Sequence, residues 1–203
     1  MEIALANDVS PKIHHPILLI TGDGLSLPKD LKVFRELCDK HDVLCIGRSY
    51  RLIYGPIDHW ADVDGQESYS WAETLQVQWR NGPQRHTLGE MRGFDFFWII
   101  KHTFYAMEDV MWCGSTSLFA TVIAVAMGYE KIVLAGCPLD SNGHWYWANL
   151  KDNKGPRWEG ETFMAWLDFC DTPESKKVRS LSGYTKIMLD SPTTQWLMES
   201  ENG

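Results

Sequence analysis

Long apolar runs are missing from this chain: no stretch reaches the roughly 18 consecutive apolar residues that a membrane-spanning helix requires. Residues 1–12 show neither the charged start nor the apolar core of a signal peptide, so the expected location is the cytoplasm. Cysteine is sparse and scattered. Five residues (Cys38, Cys45, Cys113, Cys137, Cys170) make an odd number without a C-x-x-C pair, which argues against a disulfide frame and a zinc knuckle. Positive charge is short as well. A formal net charge of -8 argues against unspecific binding to a nucleic-acid backbone, which depends on clustered Lys and Arg, so nucleic acid is not expected as a partner. Internal repeats, linkers and low-complexity tracts are also absent, and residues 1–203 are read as a single domain.

What is present is an ordinary globular composition, 44% hydrophobic and 23% charged, which excludes wholesale disorder. The most informative stretch runs from Cys113 to Asp140. Ser115-Thr116-Ser117 offers hydroxyls that can accept from the first free N–H groups of a helix, and Leu118 to Met127 is apolar almost all round, so that helix is predicted to be buried. Gly128 suits the left-handed turn at its end, and Lys131-Ile132-Val133-Leu134-Ala135 reads as a strand covered on both faces. Helix, glycine and buried strand predict an α/β fold: Rossmann-like, with a mostly parallel sheet and helices on both faces. The segment 65–112, rich in aromatics and without a clean period, is expected to form a small cap or insertion. The ten tryptophans are expected mainly to fill the core and its edges.

Ile17-Leu18-Leu19-Ile20 reads as a first buried strand and runs into Gly22-Asp23-Gly24-Leu25-Ser26-Leu27, then a periodic helical segment. Such a glycine turn lets backbone N–H groups approach a phosphate at a helix start, and it equally suits a merely tight connection. It lacks the third glycine of the dinucleotide fingerprint and the Gly-Lys-Ser/Thr of a P-loop. Asp42 to Ile46 reads as the next strand, followed by Gly47 and Arg48. Asp62 and Asp64 lie two apart, on one side of an extended chain, where they can hold a magnesium ion or a sugar hydroxyl, or be solvated turn residues. After the central strand, the loop from Gly136 to Tyr146 carries Asp140, His144 and Tyr146. Loops of this kind gather at one sheet edge, so these separated motifs are expected to form one site. His144 is the candidate general base, because imidazole titrates near neutral pH. Asp62, Asp64 and Asp140 offer the alternative of magnesium-dependent pyrophosphoryl or nucleotidyl chemistry.

The turn Gly22-Asp23-Gly24-Leu25-Ser26-Leu27 resembles a G-x-G-x-S-L signature. Together with Ser115-Thr116-Ser117 and Gly128-Tyr129-Glu130-Lys131-Ile132-Val133-Leu134-Ala135-Gly136, it resembles segments of the bacterial sialyltransferases of glycosyltransferase family 42. The same features occur in hydroxymethylpterin pyrophosphokinase-like domains. The resemblance implies a nucleotide-sugar donor held by Gly22, Asp23, Gly24, Ser26, Ser115, Thr116 and Ser117, with Tyr146 on the donor phosphate. Where the family has an asparagine after the second strand, Gly47 stands here with Arg48 beside it as a substitute contact. The family's aspartate directly after the strand-closing glycine is replaced by Cys137-Pro138, which leaves Asp140 as the first acid, and no histidine follows His144 where the family has its catalytic one. The chain is also similar to small phage or prophage proteins. That likeness implies a non-catalytic role, sequestering a nucleotide or engaging a host protein. The expected function is thus transfer from a nucleotide or nucleotide sugar to an unspecified acceptor, with a homo-oligomer left open.

Overall fold

The computed structural model describes residues 3–63, 82–91, 93–100, 115–147 and 160–199. Eight strands form one sheet: β1 (Ile3–Leu5), β2 (Ile17–Thr21), β3 (Asp42–Ile46), β4 (His59–Asp62), β5 (Gln84–Leu88), β6 (Phe96–Ile100), β7 (Lys131–Ala135) and β8 (Val178–Ser180). Their spatial order is β1-β6-β5-β4-β3-β2-β7-β8. Every neighbouring pair is parallel except β1 with β6. Among the described residues, the helices are α1 (Leu27–Leu37), α2 (Thr116–Met127), α3 (Glu161–Cys170), α4 (Gly183–Leu189) and α5 (Thr194–Met198).

Side chains alternate across a strand, and that alternation sorts the helices onto two faces. Leu18, Ile20, Leu44, Ile132 and Leu134 pack with residues of α2, α3 and α4 on one face. Leu19, Val133 and Ala135 point the other way and meet Leu27, Leu31 and Phe34 of α1 and Trp196 of α5. The expected α/β sheet with helices on both faces is therefore present. Helix α2 begins as the hydroxyl-rich start predicts, with Ser115 Oγ accepting the Leu118 N–H at 3.3 Å, and it ends on Gly128 at φ 100°. Leu118, Phe119, Val122 and Ile123 are fully buried. Their burial contributes on the order of 6–12 kcal/mol before conformational entropy is subtracted.

The segment 65–112, expected to form a cap or insertion, is described only in part. Its described portions supply β5 and β6, which pair in parallel with each other and sit between β4 and β1. The physical reason for the missing period lies in Phe96-Phe97-Trp98-Ile99-Ile100. Aromatic and apolar residues occupy both faces of this strand, Trp98 buried and Ile99 half exposed, which erases the period-two signal. Residues 64–81 and 101–114 lie outside the described residues.

From β2 the chain builds β3 to β6 on one side and then returns to place β7 and β8 on the other. The loops leaving β2 and β7 therefore diverge at a topological switch point, where ligands of such sheets usually sit. At its base the two loops are zipped together. Gly22 N–H donates to Ala135 O and Gly24 N–H to Gly136 O, both at 2.8 Å. A methyl group at Gly22 would come within 2.6 Å of Gly136 O, and one at Gly24 within 2.7 Å of the same oxygen. Gly136 has φ +66°, and a Cβ there would meet Gly22 O at 2.5 Å and Leu27 Cβ at 2.7 Å. A buried carboxylate braces the crossing from below: Asp30 Oδ2 accepts from Gly136 N at 2.9 Å, Ser26 Oγ at 2.9 Å and Ser182 Oγ at 2.6 Å. Hydrogen bonds to a charged acceptor are the strong kind, so this joint holds α1, β7 and the start of α4 together.

This packing makes a discriminating prediction for two left-handed glycines. Gly136→Ala meets the Gly22 carbonyl oxygen on one side and the Leu27 side chain on the other, and should lower unfolding free energy by about 2–4 kcal/mol. Gly128→Ala has nothing within 4 Å of the new methyl group, and the conformational penalty of roughly 1 kcal/mol should stand alone. Urea titration of both variants checks the difference, and equal losses would refute the account of the crossing.

Candidate active site

The loops at the carboxyl ends of β2, β3 and β7 bring together Asp23, Gly47, Arg48, His144, Trp145 and Tyr146. Residues 143–145 run antiparallel to 23–25: Leu25 N–H donates to Gly143 O and Trp145 N–H to Asp23 O, both at 3.0 Å, and Gly24 bridges His144. From the other side, the Arg48 N–H donates to Asp23 Oδ2 at 2.9 Å. Gly47 makes this possible, because at φ +56° a Cβ would collide with Asp23 Oδ2. Ser49 Oγ donates to Thr21 O at 2.8 Å and lies 2.8 Å from Thr21 Oγ1, which fastens the turn after β3 to the end of β2. Over this base, the Arg48 guanidinium sits 4.9 Å from the centre of the Tyr146 ring, and the His144 imidazole stacks on the same tyrosine at 5.2 Å and 3°.

Asp23 is the electrostatic centre of the arrangement. Burial pushes its pKa up to about 6, opposed by the Arg48 N–H, the Trp145 indole and the Arg48 charge, and assisted by the charge of Asp62. The indole lies near enough to ease the charge but not in hydrogen-bond geometry: Asp23 Oδ1 and Trp145 Nε1 are both buried without a standard hydrogen bond. His144 is shifted the other way. Burial lowers its pKa, the nearby Arg48 charge lowers it further, and the contact with Asp23 partly opposes both. A neutral imidazole beside a guanidinium and a π-face is the state in which histidine can accept a proton.

The remaining predicted residues are placed as follows. Gly22 and Gly24 use their N–H groups on the end of β7 and on Gly136 just after it, and the Leu25 N–H is likewise taken by Gly143, so the glycine turn meets protein backbone at these positions. Ser26 Oγ bonds Asp30 Oδ2 and lies 2.8 Å from Ser182 Oγ. Ser115 is buried, accepting from Leu118 N and from Trp166 Nε1, and its Oγ lies 2.7 Å from Ser117 Oγ. Thr116 and Ser117 are partly exposed at the start of α2. Asp140 closes a local turn by accepting from the Asn142 N–H at 3.0 Å and Asn142 Nδ2 at 2.9 Å. Asp62 is buried at the end of β4, near enough to Asp23 to raise its pKa, and Asp64 lies outside the described residues. Among the described residues, no group of three or more His, Cys, Asp or Glu side chains is placed to hold a metal ion.

Sequence reasoning missed Trp145, Asp30 and the Thr21–Ser49 pair. Trp145 had a signal, its place between His144 and Tyr146. Asp30 had only the weak mark of an acid in the first turn of α1, and its partners Gly136 and Ser182 are 106 and 152 residues away.

The raised pKa of Asp23 carries a sign that can be tested. In the unfolded chain the group titrates near 3.8, in the folded protein near 6, so the charged form is penalised by folding above pH 6. The penalty shrinks as pH falls from about 6 and is gone below about 3.8. Asp23→Asn, which keeps an acceptor for the Arg48 N–H, should therefore stabilise the protein at pH 7 by up to about 3 kcal/mol and by almost nothing at pH 4. Paired denaturant titrations at the two pH values check this, and an equal effect at both would sink it.

No protein-family model matches the chain, and no curated protein matches it in sequence. Among solved structures it is similar to the MAf glycosyltransferase from Magnetospirillum magneticum AMB-1, with a TM-score of 0.50 and 14% identity. The superposition covers 96% of this chain and 37% of that one, so the chain spans little more than a third of its neighbour's length. At that identity the likeness establishes that this chain has a glycosyltransferase-like α/β fold.

Proposed function

We propose that the protein binds a nucleotide sugar at the carboxyl edge of β2, β3 and β7 and transfers the sugar to an acceptor hydroxyl. The observation that carries the reading is the stack of Arg48, Tyr146 and His144 above Asp23, built from three separate loops at the switch point of a glycosyltransferase-like sheet. In this reading the Arg48 guanidinium faces the donor phosphates and Tyr146 offers its ring to the donor. Thr116 and Ser117, at the positive end of α2, supply further hydroxyl and N–H contacts to phosphate. Asp23 touches neither partner. It holds the Gly47-Arg48 turn in place through the Arg48 N–H.

The chemistry follows from the neutral His144. As the acceptor oxygen forms its bond to the anomeric carbon, the bond from that carbon to the donor phosphate oxygen breaks, the imidazole takes the acceptor's proton, and the nucleotide leaves with the electron pair. Arg48 then offsets the charge that develops on the departing phosphate. Asp140, engaged with Asn142, stands in this reading as a loop-shaping acid near the acceptor side.

The test is a thermal-shift screen of nucleotides and nucleotide sugars, with and without magnesium, followed by product analysis of each hit. His144→Ala should lower turnover about 100-fold or more while leaving donor affinity within a factor of two. Arg48→Met should weaken donor binding roughly tenfold, the loss of a charge-assisted contact. Absence of a shift with every nucleotide and nucleotide sugar would reject the proposal. Binding without product would favour the non-catalytic binder suggested by the phage-protein likeness.

A further inference from the structure

A second group of ionisable side chains lies at the opposite, amino edge of the sheet and takes no part in the proposed transfer. Trp98 of β6 donates its indole N–H to His86 Nδ1 of β5 at 3.1 Å. His86 Nε2 lies 3.0 Å from His59 Nδ1 of β4, and His59 Nε2 lies 2.8 Å from the Tyr129 hydroxyl, between α2 and β7. Tyr129 donates to Asp42 Oδ2 of β3 at 2.8 Å, and the same oxygen accepts the His14 N–H at 2.8 Å. His59 and His86 have no exposed surface, and Asp42 is 1% exposed.

The chemistry of the ends fixes the direction of the whole chain. An indole nitrogen can only donate, so His86 Nδ1 must accept and its proton must sit on Nε2. That proton points at His59 Nδ1, which must accept in turn, leaving the His59 proton on Nε2 to donate to Tyr129. The tyrosine hydroxyl is then free to donate to the carboxylate. Both imidazoles are neutral, and both carry the same tautomer. Adding a proton to either one sets two N–H groups against each other, His86 Nδ1–H against the indole, or His59 Nδ1–H against His86 Nε2–H.

The strands and helix joined by this chain are those that carry the site at their far ends. β3 begins at Asp42 and leads to Gly47-Arg48; β4 begins at His59 and ends at Asp62; α2 starts at Ser115-Thr116-Ser117 and delivers Tyr129 just beyond Gly128. We propose that Trp98, His86, His59, Tyr129 and Asp42 form a one-way hydrogen-bond relay that acts as an acid-sensitive latch, holding β3, β4 and α2 in the register the site requires and, because the His59–Tyr129–Asp42 bonds survive protonation, shifting them together against β5 and β6 when an imidazole is protonated. The latch does not depend on which ligand the site takes.

The surroundings support the neutral state. Burial pushes His59 down to about 4, with Asp42 opposing and His14 adding to the fall. Burial, then the neighbouring His59, pushes His86 well below its ordinary value. The charged and titratable groups that face the relay among the described residues are Asp42 of β3, Asp58 just before β4, and His14, whose Nε2 lies 4.0 Å from Asp58 Oδ1. β5 and β6 bring His86 itself, Trp98, and Phe96, whose ring stacks on His86 at 5.1 Å. Neutral in the folded state and protonated at about 6.5 when unfolded, His59 loses its contribution as pH falls from about 6.5 to about 4.

The experiment is nitrogen-15 spectroscopy of the full chain with labelled histidine, from pH 8 to pH 3, with amide exchange followed in parallel. At pH 7, two of the seven histidines should show the Nε2–H tautomer and remain neutral below pH 6, and Tyr129→Phe and Trp98→Phe should perturb those same two signals. As His59 protonates, exchange at Arg48, Ser49 and Leu118, corrected for its intrinsic pH dependence, should accelerate at least tenfold in the same pH interval. An Nδ1–H tautomer at either position, or both imidazoles titrating near 6.5, would overturn the relay. Unchanged exchange at those amides while the relay protonates would overturn the latch. Because the decisive readings come from the unmodified protein, they stand even if a variant fails to fold.

Discussion

The contact on which the site depends is backbone against backbone, where the turn after β2 crosses the turn after β7. Gly22, Gly24 and Gly136 have no side chains between them, so two main chains approach to hydrogen-bonding distance at the switch point of the sheet. Everything above inherits its position from that crossing. Residues 143–145 can lie antiparallel to 23–25 only because their chains were already joined below, and this places Tyr146 over Arg48 and His144 beside Tyr146. Asp30 completes the joint from the α1 side by taking three donors on one oxygen. A carboxylate this well satisfied is a structural anchor.

Asp23, seven residues earlier, is the opposite case. One oxygen holds the Arg48 N–H and the other has no standard partner, so the charge stays poorly compensated and the pKa rises. Perturbed carboxylates of this kind concentrate in functional clefts, where neighbouring loops bury them. The relay at the other edge bears on stability with the contrary sign. Between pH 6 and 4, acid relieves the strain at Asp23 and creates it at His59 and His86. His86, pushed down by burial, stands on the same side as His59 and adds to the loss in acid.

The elements of the central layer were legible because burial on both sides leaves an unbroken apolar run. β2, β3, β7 and α2, with its Ser115 cap and Gly128 stop, follow directly from such runs. β6 was not, since aromatics on both faces remove the alternation by which a strand is recognised. The glycine turn shows a deeper limit. A missing Cβ says that something must approach closely, and in the sequence a phosphate and a neighbouring chain look alike. At Gly22 and Gly24 the neighbour is β7. The gathering of Gly47, Arg48, His144 and Tyr146 was readable from the rule that loops after parallel strands share an edge. The role of Asp23 was not, because it arises from burial and from a hydrogen bond to a residue 25 positions away.

Helix α2 links the two edges physically. Its 12 residues span about 18 Å, with the Ser115 cap at the site edge and Tyr129 just past its other end. Because it is apolar nearly all round and has no exposed surface from Leu118 to Ala124, it touches close-packed neighbours on every side. Such packing does not deform smoothly; it holds one arrangement or gives way to another. Tyr129 stays bonded to His59 and Asp42 whichever imidazole is protonated, so a displaced His59 ring cannot be accommodated by bending within the helix, and any adjustment moves the helix as a unit. The helix start at Ser115, held by Trp166 Nε1 from α3, must then shift against a fixed neighbour or stay. This all-or-none character is what turns a buried proton at one edge of the sheet into a change at the other.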